Sequence, residues 1–225
     1  MPNRNAYLGV CFNDATRLAL VELQGALAEH LEREGYAFDK MSPQDLHMTF
    51  FFAGEQLSQL KPDTLASWHA DLTAAVQRAD LGGVILRLNG ISVFPPGKSN
   101  LLCATFHAPV RLHELQRLVE EGAHSAGIRS SGSQAQLEYG GWVPHVTLGK
   151  VRASKAAVEG AASGAARCVW HLCGHGVDEG VGAFAPVHGV MDSLLAAPVD
   201  GLTLCGEQPK QLWRDCTDWR QTLKF

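Results

Sequence analysis

Apolar residues along this chain switch repeatedly between strand-like runs and helical spacing. Tyr7 to Phe12 is nearly uninterrupted apolar sequence, short enough for a buried strand, and Asn13-Asp14 then offers a cap for a helix over Thr16 to Glu34. Leu18, Val21, Leu23, Leu27 and Leu31 form that helix's apolar face, and Gly35 closes it. Beyond Pro43, the aromatic-rich run His47 to Ala53 reads as a strand stopped by Gly54-Glu55. Lys61 to Ala79 returns to spacings of three and four through Leu65, Trp68, Leu72, Ala75 and Val76. Two strands, Val84 to Phe94 and Leu101 to His107, flank the turn-rich stretch Pro95-Pro96-Gly97-Lys98-Ser99-Asn100. Pro109 opens a third helix, lined by Leu112, Leu115, Leu118 and Val119 as far as Gly127. Ser130 to Ser133 is loop, and a strand carrying His145 follows. Ala153 to Ala166 predicts a short helix weakened by Gly160 and Gly164, and the glycines of Gly174 to Pro198 predict an irregular insertion. Val199 to Gly206 reads as a strand, and Gln211 to Phe225 adds a terminal one.

Helices in this order do not alternate regularly with single strands, which favours an α+β fold with antiparallel sheets over a doubly wound parallel sheet. The series strand, helix, loop, His-x-Thr strand occurs twice, from Tyr7 to Ala53 and from Leu101 to Val151. From the first helical residue to the histidine the separations are 31 residues (Thr16 to His47) and 34 (Arg111 to His145), as duplicated lobes require. The expectation is one two-lobed domain over residues 1–225, with an irregular insertion at about 153–198.

The two copies carry the candidate chemistry. His47-Met48-Thr49-Phe50 and His145-Val146-Thr147-Leu148 lie 98 residues apart. On an extended strand His and Thr two apart emerge side by side, while Met48 or Val146 turns the other way. Each copy thus presents an imidazole and a hydroxyl as a unit. Two such units converging on one small anionic group would supply two histidines for proton transfer and two threonines for hydrogen bonds to its oxygens.

Composition narrows the ligand. With 225 residues and 46% hydrophobic content the chain can bury a real core, and a net charge of -4 argues against a broad basic surface for long nucleic acid. A nucleotide ligand should therefore be short. Cys11, Cys103, Cys168, Cys173, Cys205 and Cys216 are scattered without a compact framework and read as reduced thiols in a cytosolic, cytoplasmic protein. Met1 to Asn5 carries no apolar signal region, and no run approaches the length of a membrane span.

The stretches HMTFFFAGE and PHVTLGK resemble the motif strands of the 2H phosphoesterase superfamily, named for two His-x-Thr/Ser-x motifs. The resemblance covers about the first 150 residues plus the terminal strands. That family includes RNA cyclic phosphodiesterases, the bacterial group historically called 2′-5′ RNA ligases, and 2′,5′-phosphodiesterase domains of A-kinase-anchor-like proteins. The resemblance implies a bilobal fold, two antiparallel sheets with flanking helices around a central cleft, and chemistry on a nucleotide or RNA phosphodiester without metal or cofactor. Carried over residue by residue, it implies His47 and His145 as the catalytic pair and Thr49 and Thr147 as substrate contacts. For a 2′,3′-cyclic phosphate, His47 is assigned as the acid protonating the 3′ oxygen and His145 as the base activating water, an order the sequence itself leaves open. RNA end joining, 2′-5′ ligase-like, is the alternative within enzymes. A nucleotide- or RNA-binding module using the same cleft without turnover is the alternative outside them. The implied partner is a nucleotide or short RNA, with no long duplex nucleic acid and no membrane, and the chain is expected to act as a monomer.

Two positions depart from many bacterial relatives, which have leucine where Phe50 stands and arginine near Lys150. Lys150 is a candidate phosphate contact, although three residues after Thr147 a regular strand would turn it to the opposite face. Phe51, Phe94 and Trp142 are the candidate base-stacking rings. Gly97-Lys98-Ser99 resembles the end of a phosphate-binding loop, but Ser92 stands where that motif needs glycine. Cys168 to His175 holds four potential zinc donors without the paired spacing of structural sites and reads as a strand with buried thiols, so no metal site is assigned.

Overall fold

The computed structural model describes residues 6–54, 61–79, 83–95, 100–128, 141–154, 157–158, 160–162, 197–205 and 223–224. The Gly97-Lys98-Ser99 loop, Ser130 to Ser133, the Cys168 to His175 cluster and most of the expected insertion lie outside them.

The element order is β1 (Ala6–Phe12), α1 (Asp14–Arg33), β2 (Ala37–Lys40), a 3-10 turn (Pro43–Asp45), β3 (Met48–Gly54), α2 (Pro62–Ala79), β4 (Ile85–Val93), β5 (Leu101–His107), α3 (Val110–Ser125), β6 (His145–Arg152), β7 (Ala197–Cys205) and β8 (Leu223–Lys224). Asn13 caps α1 by accepting the Thr16 backbone N–H at 2.8 Å, and Gly35 at φ 80° closes the helix in the left-handed conformation that glycine tolerates best. The helix buries Ala19, Leu20, Leu23, Gln24, Leu27 and Leu31, whereas Leu18 is 64% exposed. Leu18 stands two positions from Leu20, roughly 200° around the helix, so its apolar character does not place it in the core. Leu118 in α3 is likewise turned outward, and Gln116 is buried in its stead. In α2, Leu65, Trp68, Leu72, Ala75 and Val76 all face inward, and the helix packs against α3.

Among the described residues all strand pairings are antiparallel. The path runs β1-β3-β6-β5-β4-β7-β8; β7 also pairs with β1, and β2 lies against β6 off the path. Strand β2 carries no apolar alternation in Ala37-Phe38-Asp39-Lys40, because a short edge strand with three exposed residues needs none.

Strands β3 and β6 are joined by one pair, Met48 opposite Val146, both fully buried. The ladder cannot lengthen in either direction. On one side the next rung would fall on Pro144, which has no N–H to give and whose carbonyl accepts from Phe106 at 2.9 Å. On the other side the Leu148 carbonyl is already taken by the Met41 backbone N–H at 2.9 Å and by Gln24 Nε2 at 2.6 Å. The buried Gln24 also donates to the Met41 carbonyl at 3.0 Å, so one amide on α1 ties the lead-in to β3 against β6. Beyond that tie, β2 occupies the β6 edge from Gly149 to Arg152.

Gly149 allows this approach. A Cβ there would lie 2.5 Å from the Asp39 carbonyl oxygen and 2.5 Å from the Phe38 ring. Gly149→Ala is therefore expected to lower stability by about 3 kcal/mol, the upper range for overpacking, since one of the two obstacles is backbone. A urea midpoint for this variant within error of the parent's would show that β2 is not held against β6 as described.

Candidate active site

The Met48–Val146 pair places the two His-x-Thr copies antiparallel and side by side. By strand alternation, His47 then lies across from Thr147 and His145 across from Thr49, with all four side chains on the face away from the buried Met48 and Val146. The arrangement has local twofold character, and it continues past the motifs. In β3 the pairing with β1 skips Phe50, and in β6 the pairing with β5 skips Leu148, so each motif threonine is followed at once by a bulge.

Both imidazoles are held in the same way. His47 Nδ1 lies 2.6 Å from the Asp45 carbonyl oxygen and His145 Nδ1 lies 2.7 Å from that of Val143, each two residues back. A carbonyl can only accept, so Nδ1 carries the hydrogen in both rings and each Nε2 is left for proton exchange. An aromatic ring covers each histidine: Tyr7 stacks on His47 at a centroid distance of 4.4 Å, and Phe94 lies tilted against His145 at 4.2 Å. Burial lowers the pKa of His145; its bond to the Val143 carbonyl opposes this, and the charge His47 can carry lowers it further. That electrostatic coupling puts each imidazole within reach of the other's charge.

The threonines are set by neighbouring strands. Cys103, opposite Thr147 on β5, has its Sγ 3.7 Å from Thr147 Oγ1. Burial pushes the Cys103 thiol up to about 11, so at neutral pH it is an uncharged neighbour and no nucleophile. The Thr49 carbonyl accepts the Trp142 indole N–H at 3.0 Å, which links the lead-in of the second motif to the backbone of the first.

The other candidates fall in different places. Phe51 and Trp142 are core residues, 1% and 6% exposed, packed edge-on against Trp68 and Phe50 respectively, and neither offers a face to a base. Phe94 is half-buried and lies against His145. Lys150 stands on the motif face, not the opposite one. The bulge at Leu148 shifts the alternation by one, so Lys150 pairs with Leu101 on the same strand face as Cys103 and Thr147. Tyr7, Cys103 and Gln24 were not singled out by the sequence; a glutamine among the leucines of α1 is the one signal that marked any of them. Among the described residues no three His, Cys, Asp or Glu side chains form a group able to hold a metal ion, and no helix is long and apolar enough to cross a membrane.

Residues 21–167 match the sequence profile of the 2'-5' RNA ligase superfamily. No functionally curated protein matches the chain. Among solved structures, the fold is similar to TT0787 of Thermus thermophilus, with 23% identity, a TM-score of 0.52, and 92% of this chain and 91% of that one covered. It is also similar to Kluyveromyces marxianus Usb1 with uridine monophosphate, at 11% identity and a TM-score of 0.52 over 91% and 94% of the two chains. Escherichia coli LigT complexed with NADP+ is similar at 17% identity and a TM-score of 0.51, covering 92% and 88%.

The coupling of the imidazoles has a direct reading in solution. In histidine side-chain NMR, His145 is expected to titrate below the ordinary imidazole value of 6.5 and to show the Nδ1–H tautomer when neutral. Because His47 adds to the lowering, His47→Gln should move the His145 midpoint upward. An unchanged midpoint in that variant would mean the rings do not sense one another.

Proposed function

The chain belongs to the 2'-5' RNA ligase superfamily, the 2H phosphoesterases, and from that premise we propose that it hydrolyses 2′,3′-cyclic or 2′-5′-linked nucleotide phosphodiesters by paired-histidine acid–base catalysis. One observation carries the reading: two imidazoles, each with Nδ1 tied to a carbonyl, flank a shared face together with two threonine hydroxyls across the Met48–Val146 pair. The similar folds described with bound uridine monophosphate and NADP+ support a nucleotide as the ligand.

The chemistry follows from the unequal settings of the rings. A base must be unprotonated at working pH, and His145, the more enclosed of the two, is the one whose burial and charged neighbour favour the neutral form. His145 Nε2 takes a proton from water as its oxygen attacks phosphorus. The P–O3′ bond then breaks and His47 Nε2 delivers a proton to the departing 3′ oxygen, leaving a 2′-phosphate. Thr49 and Thr147 donate hydrogen bonds to the non-bridging oxygens, where negative charge grows. The reaction requires no change of oxidation state, and the four side chains supply every proton transfer it needs.

Purified protein incubated in EDTA with nucleoside 2′,3′-cyclic phosphates and with 2′-5′ oligoadenylate tests this reading. Turnover should persist in the chelator, and His47→Ala and His145→Ala should each reduce kcat by about 10²–10⁴. The rate should be bell-shaped in pH. Its ascending limb, which follows deprotonation of His145, should lie below the usual imidazole range because the folded-state value is lowered. A rate that climbs monotonically through both titrations, or binding of every candidate without turnover, would overturn the assignment.

A further inference from the structure

The two motif threonines stand in matching places but have unlike neighbours. On the outer side of β3, Thr49 pairs with Gly9 of β1, and on the outer side of β6, Thr147 pairs with Cys103 of β5. Residues paired across antiparallel strands project to the same face of the sheet. Glycine has no side chain to offer, so Thr49 gains nothing from that position. Thr147 gains a thiol whose sulfur lies 3.7 Å from its Oγ1.

The direction of that bond follows from what surrounds the sulfur. Cys103 is fully buried, and its thiol keeps its hydrogen at neutral pH. A backbone bond from Phe94 favours the thiolate form, as only an N–H donor can, so the sulfur accepts from that amide. The thiol hydrogen then points elsewhere, and Thr147 Oγ1 is the side-chain acceptor in its reach among the described residues. A hydroxyl oxygen that accepts on one side keeps its single O–H for another direction. Thr147 is half-buried, and the side it leaves open belongs to the face that carries the two imidazoles.

Resting on the phosphodiesterase reading above, we propose that Cys103 is a positioning residue whose S–H donates to Thr147 Oγ1 and so aims the threonine O–H at a non-bridging oxygen of the reacting phosphate. The two threonines are then unequal: the donor direction of Thr147 is set by a side chain on the neighbouring strand, and that of Thr49 is not. Cys103 acts only through Thr147 and transfers no proton. An aimed donor counts most where negative charge grows, so its contribution falls in the transition state more than in the bound ground state.

Variants assayed on uridine 2′,3′-cyclic phosphate test the assignment. Cys103→Ala should lower kcat/KM by about three- to tenfold, the worth of one neutral hydrogen bond, with the loss in kcat and KM little changed. Cys103→Ser, which keeps a donor, should recover most of that loss. A packing role predicts the reverse order, because a buried hydroxyl costs more than a methyl group among hydrocarbon. In a Thr147→Val background Cys103→Ala should cause no further loss, whereas in a Thr49→Val background the full loss should remain. Cys103→Ala equal to or better than Cys103→Ser, or a loss undiminished beside Thr147→Val, would overturn the proposal. Infrared spectroscopy reads the bond without turnover. The S–H stretch of Cys103, isolated as the difference between wild type and Cys103→Ala, should lie at the lowered frequency of a bonded thiol and rise in Thr147→Val. A band that does not move rejects the bond. If the wild-type protein hydrolyses neither this substrate nor 2′-5′ oligoadenylate, the phosphodiesterase reading fails by itself, and the infrared band still decides whether Cys103 holds Thr147.

Discussion

A single rung of backbone pairing governs this molecule. Met48 and Val146 meet once, and from that meeting follow the antiparallel placement of the two His-x-Thr copies, the common face of four polar side chains, and the electrostatic contact between the imidazoles. The rung stays single for identifiable reasons. Pro144 cannot extend the ladder on one side, and the Leu148 carbonyl is occupied on the other.

The groups that keep the rung single are buried and polar, which makes them costly to disturb. Gln24 satisfies two carbonyls with one amide inside the core, and Trp142 crosses from the second motif to the first with its indole N–H. Loss of Gln24 would strip the part-buried Met41 carbonyl of its side-chain donor, and loss of Trp142 would do the same at Thr49, at a cost of about 1 kcal/mol each. These residues touch no reacting atom. Their effect on chemistry is to hold two strands from distant parts of the chain in a relation that neither strand's own propensity specifies.

How legible the molecule is in its sequence depends on the range of the interaction involved. The His-x-Thr pair is visible because alternation along a strand is a local rule, and the helices over Asp14–Arg33, Pro62–Ala79 and Val110–Ser125 are visible because their apolar spacing is local too. The face of Lys150 was not, since it turns on a bulge whose carbonyl is held by a glutamine 124 residues away. Phe51 and Trp142 look like base-stacking rings in a list of aromatics near the motifs, and only packing against Trp68 and Phe50 shows them to be core. Strand β2 leaves no mark in the sequence because an edge strand borrows its register from β6 and needs no pattern of its own.

The position of the site relative to that lone rung has a mechanical consequence. The rung is braced on both sides: β1 pairs with β7, β2 lies along β6, and Gln24 and Trp142 tie the lead-ins of the two motifs across it. His47, Thr49, His145 and Thr147 all sit within one residue of the pairing. These braces fix the spacing of the four groups as the chain folds, so a ligand meets them already in place and binding need not order them.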